Sequence, residues 1–161
     1  MTSSEMTGNG SITILPERPD TPDAIDLIQE LEATLAPLYP SESRHGFSVE
    51  KLIAEKVAFF VLRYDGAPAG CGGVKLFGTE YGEVKRIFVR AQYRGKGLSK
   101  LIMEHLAEYA RERGIPILRL ETGIYQPEAI GLYERLGYRR IGSFGEYKND
   151  PLSIYFEKKI L

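Results

Sequence analysis

The sequence predicts a single α/β domain of the α+β kind, in which helices cover a sheet that pairs some strands as hairpins. Three observations predict it. The chain has 161 residues, 43% hydrophobic and 27% charged, which suits one domain with one sizeable core. Apolar strand-like runs alternate with stretches of helical period. A glycine-rich turn joins one apolar run to the longest amphipathic stripe. No internal repeat or domain boundary interrupts residues 11–161. Residues 1–10, rich in Ser, Thr and Gly, read as a disordered tail.

In chain order, Ser11 to Leu15 suits a short first strand. Thr21-Pro22-Asp23 is a helix start, with Thr21 as cap and Pro22 in the first turn. Ala24, Ile28, Leu31, Leu35 and Leu38 then share one helical face, and Pro37 and Pro40 limit its length. Ser48 caps a second short helix from Val49 to about Glu55. Val57 to Tyr64 is apolar on both faces, as a central strand is. Asp65-Gly66 turns the chain into Ala67 to Phe77, where Gly70, Gly72 and Gly73 signal a bulge or close backbone approach. Gly82 to Arg90 is the strand that feeds the glycine turn.

Leu98, Leu101, Ile102, His105, Leu106, Tyr109 and Ala110 form an amphipathic stripe that Gly114 ends. On that stripe His105 reads as a core histidine. Pro116 to Glu121 is a further strand. Pro127 opens a last helix with Ala129, Leu132, Tyr133 and Leu136 on one face and Gly137 as its stop. Tyr138 to Phe144 and Ser153 to Ile160 complete the pattern as strands.

Composition excludes several classes. With 21 basic and 22 acidic residues, the net charge of −1 speaks against a nucleic-acid binder and against a polybasic membrane anchor. The longest apolar run, Val57 to Leu62, is too short to span a bilayer, and Met1 to Ser11 lacks an apolar signal core. One cysteine, Cys71, precludes an intramolecular disulfide and fits a reducing cytoplasm. Its strand-like setting suits a small buried thiol better than a nucleophile. No Cys/His cluster has metal-ligand spacing.

Gln92-Tyr93-Arg94-Gly95-Lys96-Gly97 carries the most chemistry. Glycines let backbone N–H groups approach an anion, and the following helix dipole favours negative charge there. Gly95-Lys96-Gly97-Leu98-Ser99-Lys100 does not fit a Walker A loop, and Lys100 stands where a dinucleotide fingerprint needs its third glycine. On its own the stretch is equally an ordinary glycine turn with solvated basic side chains.

Glu83-Val84-Lys85-Arg86-Ile87-Phe88-Val89, this loop, and Ala129 to Tyr138 together resemble the GCN5-related N-acetyltransferase (GNAT) superfamily. Gln92, Gly95 and Gly97 match its acetyl-CoA pyrophosphate signature, and Leu132-Tyr133-Glu134 with Gly137-Tyr138 matches its second signature. The tail from Phe144 to Tyr147, with Asp150 to Ser153, resembles a bacterial branch. The resemblance is strong from about Ala58 to Phe156.

It implies a twisted mixed sheet of six or seven strands flanked by about four helices, with two neighbouring strands splayed in a V that takes the pantetheine of acetyl-CoA. The backbone of Phe88 and Val89 would meet the pantetheine. The amides of Arg94, Gly95, Lys96, Gly97 and Leu98 would cradle the pyrophosphate, with Ser99 joining. Many members carry Asn just before the second signature; here that position is Gln126, whose longer amide can still donate and accept.

Tyr133 matches the family's usual acid, which protonates the departing thiolate; packing is its competing role. Glu83 matches a position where several members place a general base. A lysine-like amine is free base only about once in ~10³ at pH 7, a cost of about 4 kcal/mol without help. Glu83 is equally suited to pair with Lys85 or Arg86, or to attract a cationic substrate.

Acceptor candidates are Tyr39, Glu42, Arg44 and His45 on the early loop, and Glu121, Tyr125, Phe144 and Tyr147 later. Acidic groups favour an amine. Arg44 favours an acceptor that also carries a carboxylate, such as an amino acid. The expectation is an acetyl-CoA-dependent N-acetyltransferase acting on a primary amine by direct transfer, with a homodimer compatible with the resemblance. Its rivals are a non-catalytic acyl-CoA sensor and a protein lysine or N-terminal acetyltransferase.

Overall fold

Apolar alternation and helical periodicity lie side by side in a computed structural model that describes residues 3–7 and 10–161. The described residues form, in order, β1 (Ser3–Thr7), β2 (Gly10–Pro16), α1 (Pro22–Leu35), α2 (Val49–Ala54), β3 (Ala58–Tyr64), β4 (Ala67–Phe77) and β5 (Tyr81–Val89). Then come α3 (Leu98–Arg111), β6 (Ile117–Gly123), α4 (Pro127–Arg135), β7 (Arg139–Ile141) and β8 (Ser153–Lys159). Short 3-10 turns sit at Ser41–Ser43 and Ala91–Tyr93.

The strands form one sheet in the order β1-β2-β3-β4-β5-β6-β8-β7. Every neighbouring pair is antiparallel except β5 and β6, which are parallel. Strands β2 to β8 make the seven-stranded mixed sheet, and β1 adds an eighth at its edge. There the reading of residues 1–10 as a tail needs correction. Ser3–Thr7 pairs with β2 from Ser3↔Ile14 to Thr7↔Gly10, while residues 1, 2, 8 and 9 lie outside the described residues. An edge ladder uses main-chain groups alone, so a polar segment joins it without showing apolar alternation.

Capping chemistry sets the helix starts. Thr21 Oγ1 accepts from Ala24 N–H at 3.2 Å, and Ser48 Oγ accepts from Lys51 N–H at 3.1 Å. Strand β3 is buried on both faces. Phe59 and Val61 meet Ala24, Leu27, Ile28 and Leu31 of α1, whereas Phe60 and Leu62 meet Leu98, Ile102, Met103 and Leu106 of α3. Each of these buried side chains larger than alanine contributes about 1.5–3 kcal/mol. His105 belongs to the α3 core, edge-on to Phe60 at 4.7 Å, and burial lowers its pKa.

Two irregularities prepare the site. The β5–β6 ladder runs only through Gly82↔Leu118 and Glu83↔Arg119, after which the strands part. This opens the V. Strand β5 is also bulged against β4. Cys71 pairs with Phe88 and Gly73 with Lys85, so Arg86 and Ile87 together face Gly72. Arg86 takes φ 60°, rare for a residue with a side chain. Its Nε donates to Phe47 O at 2.8 Å, its guanidinium pairs with Glu32, and its carbonyl accepts from Cys71 Sγ at 3.3 Å.

Candidate active site

A cleft of about 570 Å³ occupies the V, between the end of β5, the start of α3 and the start of α4. Phe88 and Val89 form one wall, and Arg94, Gly95, Gly97, Leu98 and Ser99 form its end. Gly95 and Gly97 have φ 81° and 74°, a region that strongly favours glycine. Gly97 is the cap residue of α3 and offers no side chain to its first N–H groups. An uncapped helix start on a glycine turn fits a diphosphate, with Arg94 and Lys100 beside it.

The second cavity, of about 100 Å³, adjoins the first. It is lined by α1, the loop that follows it, β5, β6, α4 with its cap residue, and the β7–β8 loop. Leu31, Ile87, Gln126 and Tyr133 line both cavities, which therefore meet at these residues. The Tyr133 ring packs on Tyr138 and Phe156, each 6.0 Å away between centroids. Its hydroxyl makes no hydrogen bond among the described residues. Burial raises the Tyr133 pKa and the charge of Glu121 adds to it, so the phenol keeps its proton.

Three charged knots line or back this second cavity. Lys85 Nζ lies 2.8 Å from Glu83 Oε2 and 2.8 Å from Tyr147 Oη, and the tyrosine donates to Glu83. Burial lowers the Lys85 pKa while Glu83 opposes that, and burial with the charge of Glu83 raises that of Tyr147. His45 lies 3.3 Å from Asp150 and edge-on to Tyr147 at 5.5 Å, tying the β7–β8 loop to the loop before α2. The Asp150 pKa is lowered, first by the Leu152 N–H it accepts. Glu32 holds Arg86, with Arg44 Nη1 3.7 Å away.

Glu121 stands apart from these knots. It accepts from Ser153 Oγ at 2.8 Å. Burial raises its pKa, partly offset by that hydroxyl and by nearby His45 and Lys85.

Of the residues expected at the cofactor, Phe88, Val89, Arg94, Gly95, Gly97, Leu98, Ser99, Gln126 and Tyr133 line the cleft. Gln92 and Lys96 are exposed and do not line it; Lys96 Nζ lies 5.1 Å from the Tyr64 ring centroid. Gln126 Oε1 accepts from Gly123 N–H at 3.2 Å and Tyr39 Oη at 3.4 Å, shaping the turn before α4. Tyr39 is buried, accepts from Tyr125 N–H at 2.9 Å and stacks on the Tyr125 ring. A Cβ at Gly123 would stand 2.0 Å from Tyr39 Oη, so any side chain there displaces the Tyr39 ring.

Arg44, His45, Glu121 and Tyr147 line the smaller cavity with Tyr39, whereas Glu42 is exposed and outside it. Glu83 is buried behind Lys85 and Tyr147 rather than on the cavity wall. Of its two candidate cation partners it holds Lys85. Cys71 is fully buried, and burial pushes its thiol up to about 12, so it is no nucleophile. Lys85 and Lys100 were not expected as lining residues. The alternation of β5, which puts Lys85 on the face of Glu83, was the available signal for the first.

Residues 25–138 match the family model of the acetyltransferase (GNAT) family. The chain is 40% identical over 152 residues to an IAA acetyltransferase of Azospirillum brasilense, covering 93% of this chain and 99% of the relative. It is 33% identical to the uncharacterized N-acetyltransferase YsnE of Bacillus subtilis, over 84% of this chain and 91% of that protein. Among solved structures, a Klebsiella pneumoniae protein named for acyl-CoA N-acyltransferase activity superposes with a TM-score of 0.80 at 34% identity, covering 93% and 98% of the two chains. The PaiA N-acetyltransferase of Thermoplasma acidophilum, solved with coenzyme A, shares the fold at 21% identity and a TM-score of 0.74, over 92% and 98%.

Proposed function

The chain belongs to the GNAT acetyltransferase family of acetyl-CoA-dependent acyltransferases, and on that premise we propose that it acetylates the primary amine of a small molecule or amino acid by direct transfer in a ternary complex. One observation carries this reading: Tyr133, with a free hydroxyl, stands where the large cleft and the small cavity meet. The small volume of that second cavity favours a small acceptor over a protein chain.

Acetyl-CoA, when bound, supplies an acetyl group activated as a thioester. The amides from Arg94 to Leu98 hold its diphosphate, and the unpaired edge of β5 at Phe88 and Val89 holds its pantetheine. A backbone N–H near Phe88 polarises the thioester oxygen. Tyr133 serves the departing sulfur. A thiol of pKa about 8.5 against a phenol above about 10 makes complete proton transfer to a free thiolate uphill by at least about 2 kcal/mol. Tyr133 therefore acts chiefly as a hydrogen-bond donor while charge develops on sulfur. Glu83, locked by Lys85 and Tyr147, fixes the far wall and its field.

The test incubates the protein with acetyl-CoA and a panel of small primary amines and follows acetylated products by mass spectrometry. Products are expected with small amines and are lost in Tyr133→Phe, with coenzyme A affinity retained. Tight coenzyme A binding with no acetylated amine of any kind would overturn the reading.

A further inference from the structure

The charges around the acceptor cavity pair off, with one exception and one weak pair. Lys85 is taken by Glu83, His45 by Asp150 and Arg86 by Glu32. Glu121 has the Ser153 hydroxyl and, among the described residues, no cation within ion-pair distance. Arg44 sits 3.7 Å from Glu32, beyond hydrogen-bond reach and at a carboxylate already committed to Arg86. Its Nε is buried without a partner. One unpaired carboxylate and one under-used guanidinium thus line the same small space.

Resting on the function proposed above, we infer that the acceptor is a compact zwitterion, an α-amino acid, whose ammonium is received by Glu121 and whose carboxylate is received by Arg44. The two residues approach from different elements, Arg44 from the loop after α1 and Glu121 from β6, so they grip two ends of one molecule. The volume sets its size. A cavity of about 150 Å³ takes benzene, so about 100 Å³ suits a handful of heavy atoms. The guanidinium suits a carboxylate through paired N–H donors.

Glu121 also has a chemical task. The ammonium must lose two protons on becoming an amide. Glu121 takes the first and passes it to solvent, freeing the lone pair. The N–C bond then forms, the C–S bond breaks, and the second proton ends on sulfur.

The test uses the whole protein with alanine, alaninamide and ethylamine in parallel, then with other α-amino acids beside their amides. A carboxylate raises the basicity of its neighbouring amine, so chemistry alone favours the amide. The inference expects kcat/KM for the acid to exceed that for the amide by about 10- to 100-fold. Arg44→Met is expected to collapse that ratio mainly through KM, with Arg44→Lys restoring part of it. Glu121→Gln is expected to lower kcat about 10²-fold or more. Coenzyme A affinity measured on each variant reports folding. Equal rates for acid, amide and ethylamine would overturn the zwitterion while leaving acetyl transfer intact; no product from any amine would sink both.

Discussion

The two cavities that meet at Tyr133 are built by different means. The larger cleft is framed by backbone at a two-glycine turn, the uncapped start of α3 and the edge of β5 released where β6 departs, and residues such as Leu31, Leu132 and Tyr133 line the rest. The acceptor cavity is made of side chains brought from six segments and locked by ion pairs. On the proposed function, backbone geometry recognises what every acetyl-CoA carries. Side-chain geometry would then recognise what one acceptor carries, and a few substitutions could rewrite it.

The sharpest break of that contrast is Lys85→Met. It leaves Glu83 buried without its cation, and a loss of about 3–5 kcal/mol of stability is expected in chemical denaturation. Coenzyme A affinity of the folded fraction should hardly move, since Lys85 lies outside the cofactor cleft. Tyr133→Phe comes next. A fall in kcat of about 10²-fold, about 3 kcal/mol, is expected in steady-state kinetics with coenzyme A affinity unchanged.

Gly97→Val probes the other side. It forces a β-branched residue to φ 74°, at about 1–2 kcal/mol, and should weaken coenzyme A about tenfold by calorimetry while leaving the acceptor preference alone. The smallest effect concerns pH. The folded-state pKa of Glu121 is raised, so stability from this group is greatest at low pH and falls as pH rises from the ordinary carboxylate range through the raised value. Glu121→Gln should therefore melt higher than the parent at neutral pH and lose that advantage in acid, across a series of thermal melts. A melting difference independent of pH would remove Glu121 as its source.

Legibility in the sequence follows the same division. Helix caps at Thr21 and Ser48, the α3 stripe and the glycine turn are local patterns, and each stood where its residues suggested. The acceptor cavity is not local. Arg44, Glu121 and Tyr147 are far apart in the chain, and only strand order brings them together. Which cation Glu83 holds follows from strand alternation, whereas an arginine at positive φ carries no sequence signal. Strand β1 was missed because main-chain pairing at an edge leaves no apolar signature.

The sealed position of Cys71 has a practical corollary. The chain's one thiol is fully enclosed, donates to a carbonyl and resists ionisation. Colorimetric disulfide reagents will then be blind to the folded enzyme and will register only the coenzyme it discharges. Turnover can be followed continuously without mutating the protein, and a rise in the enzyme-only blank would report unfolding.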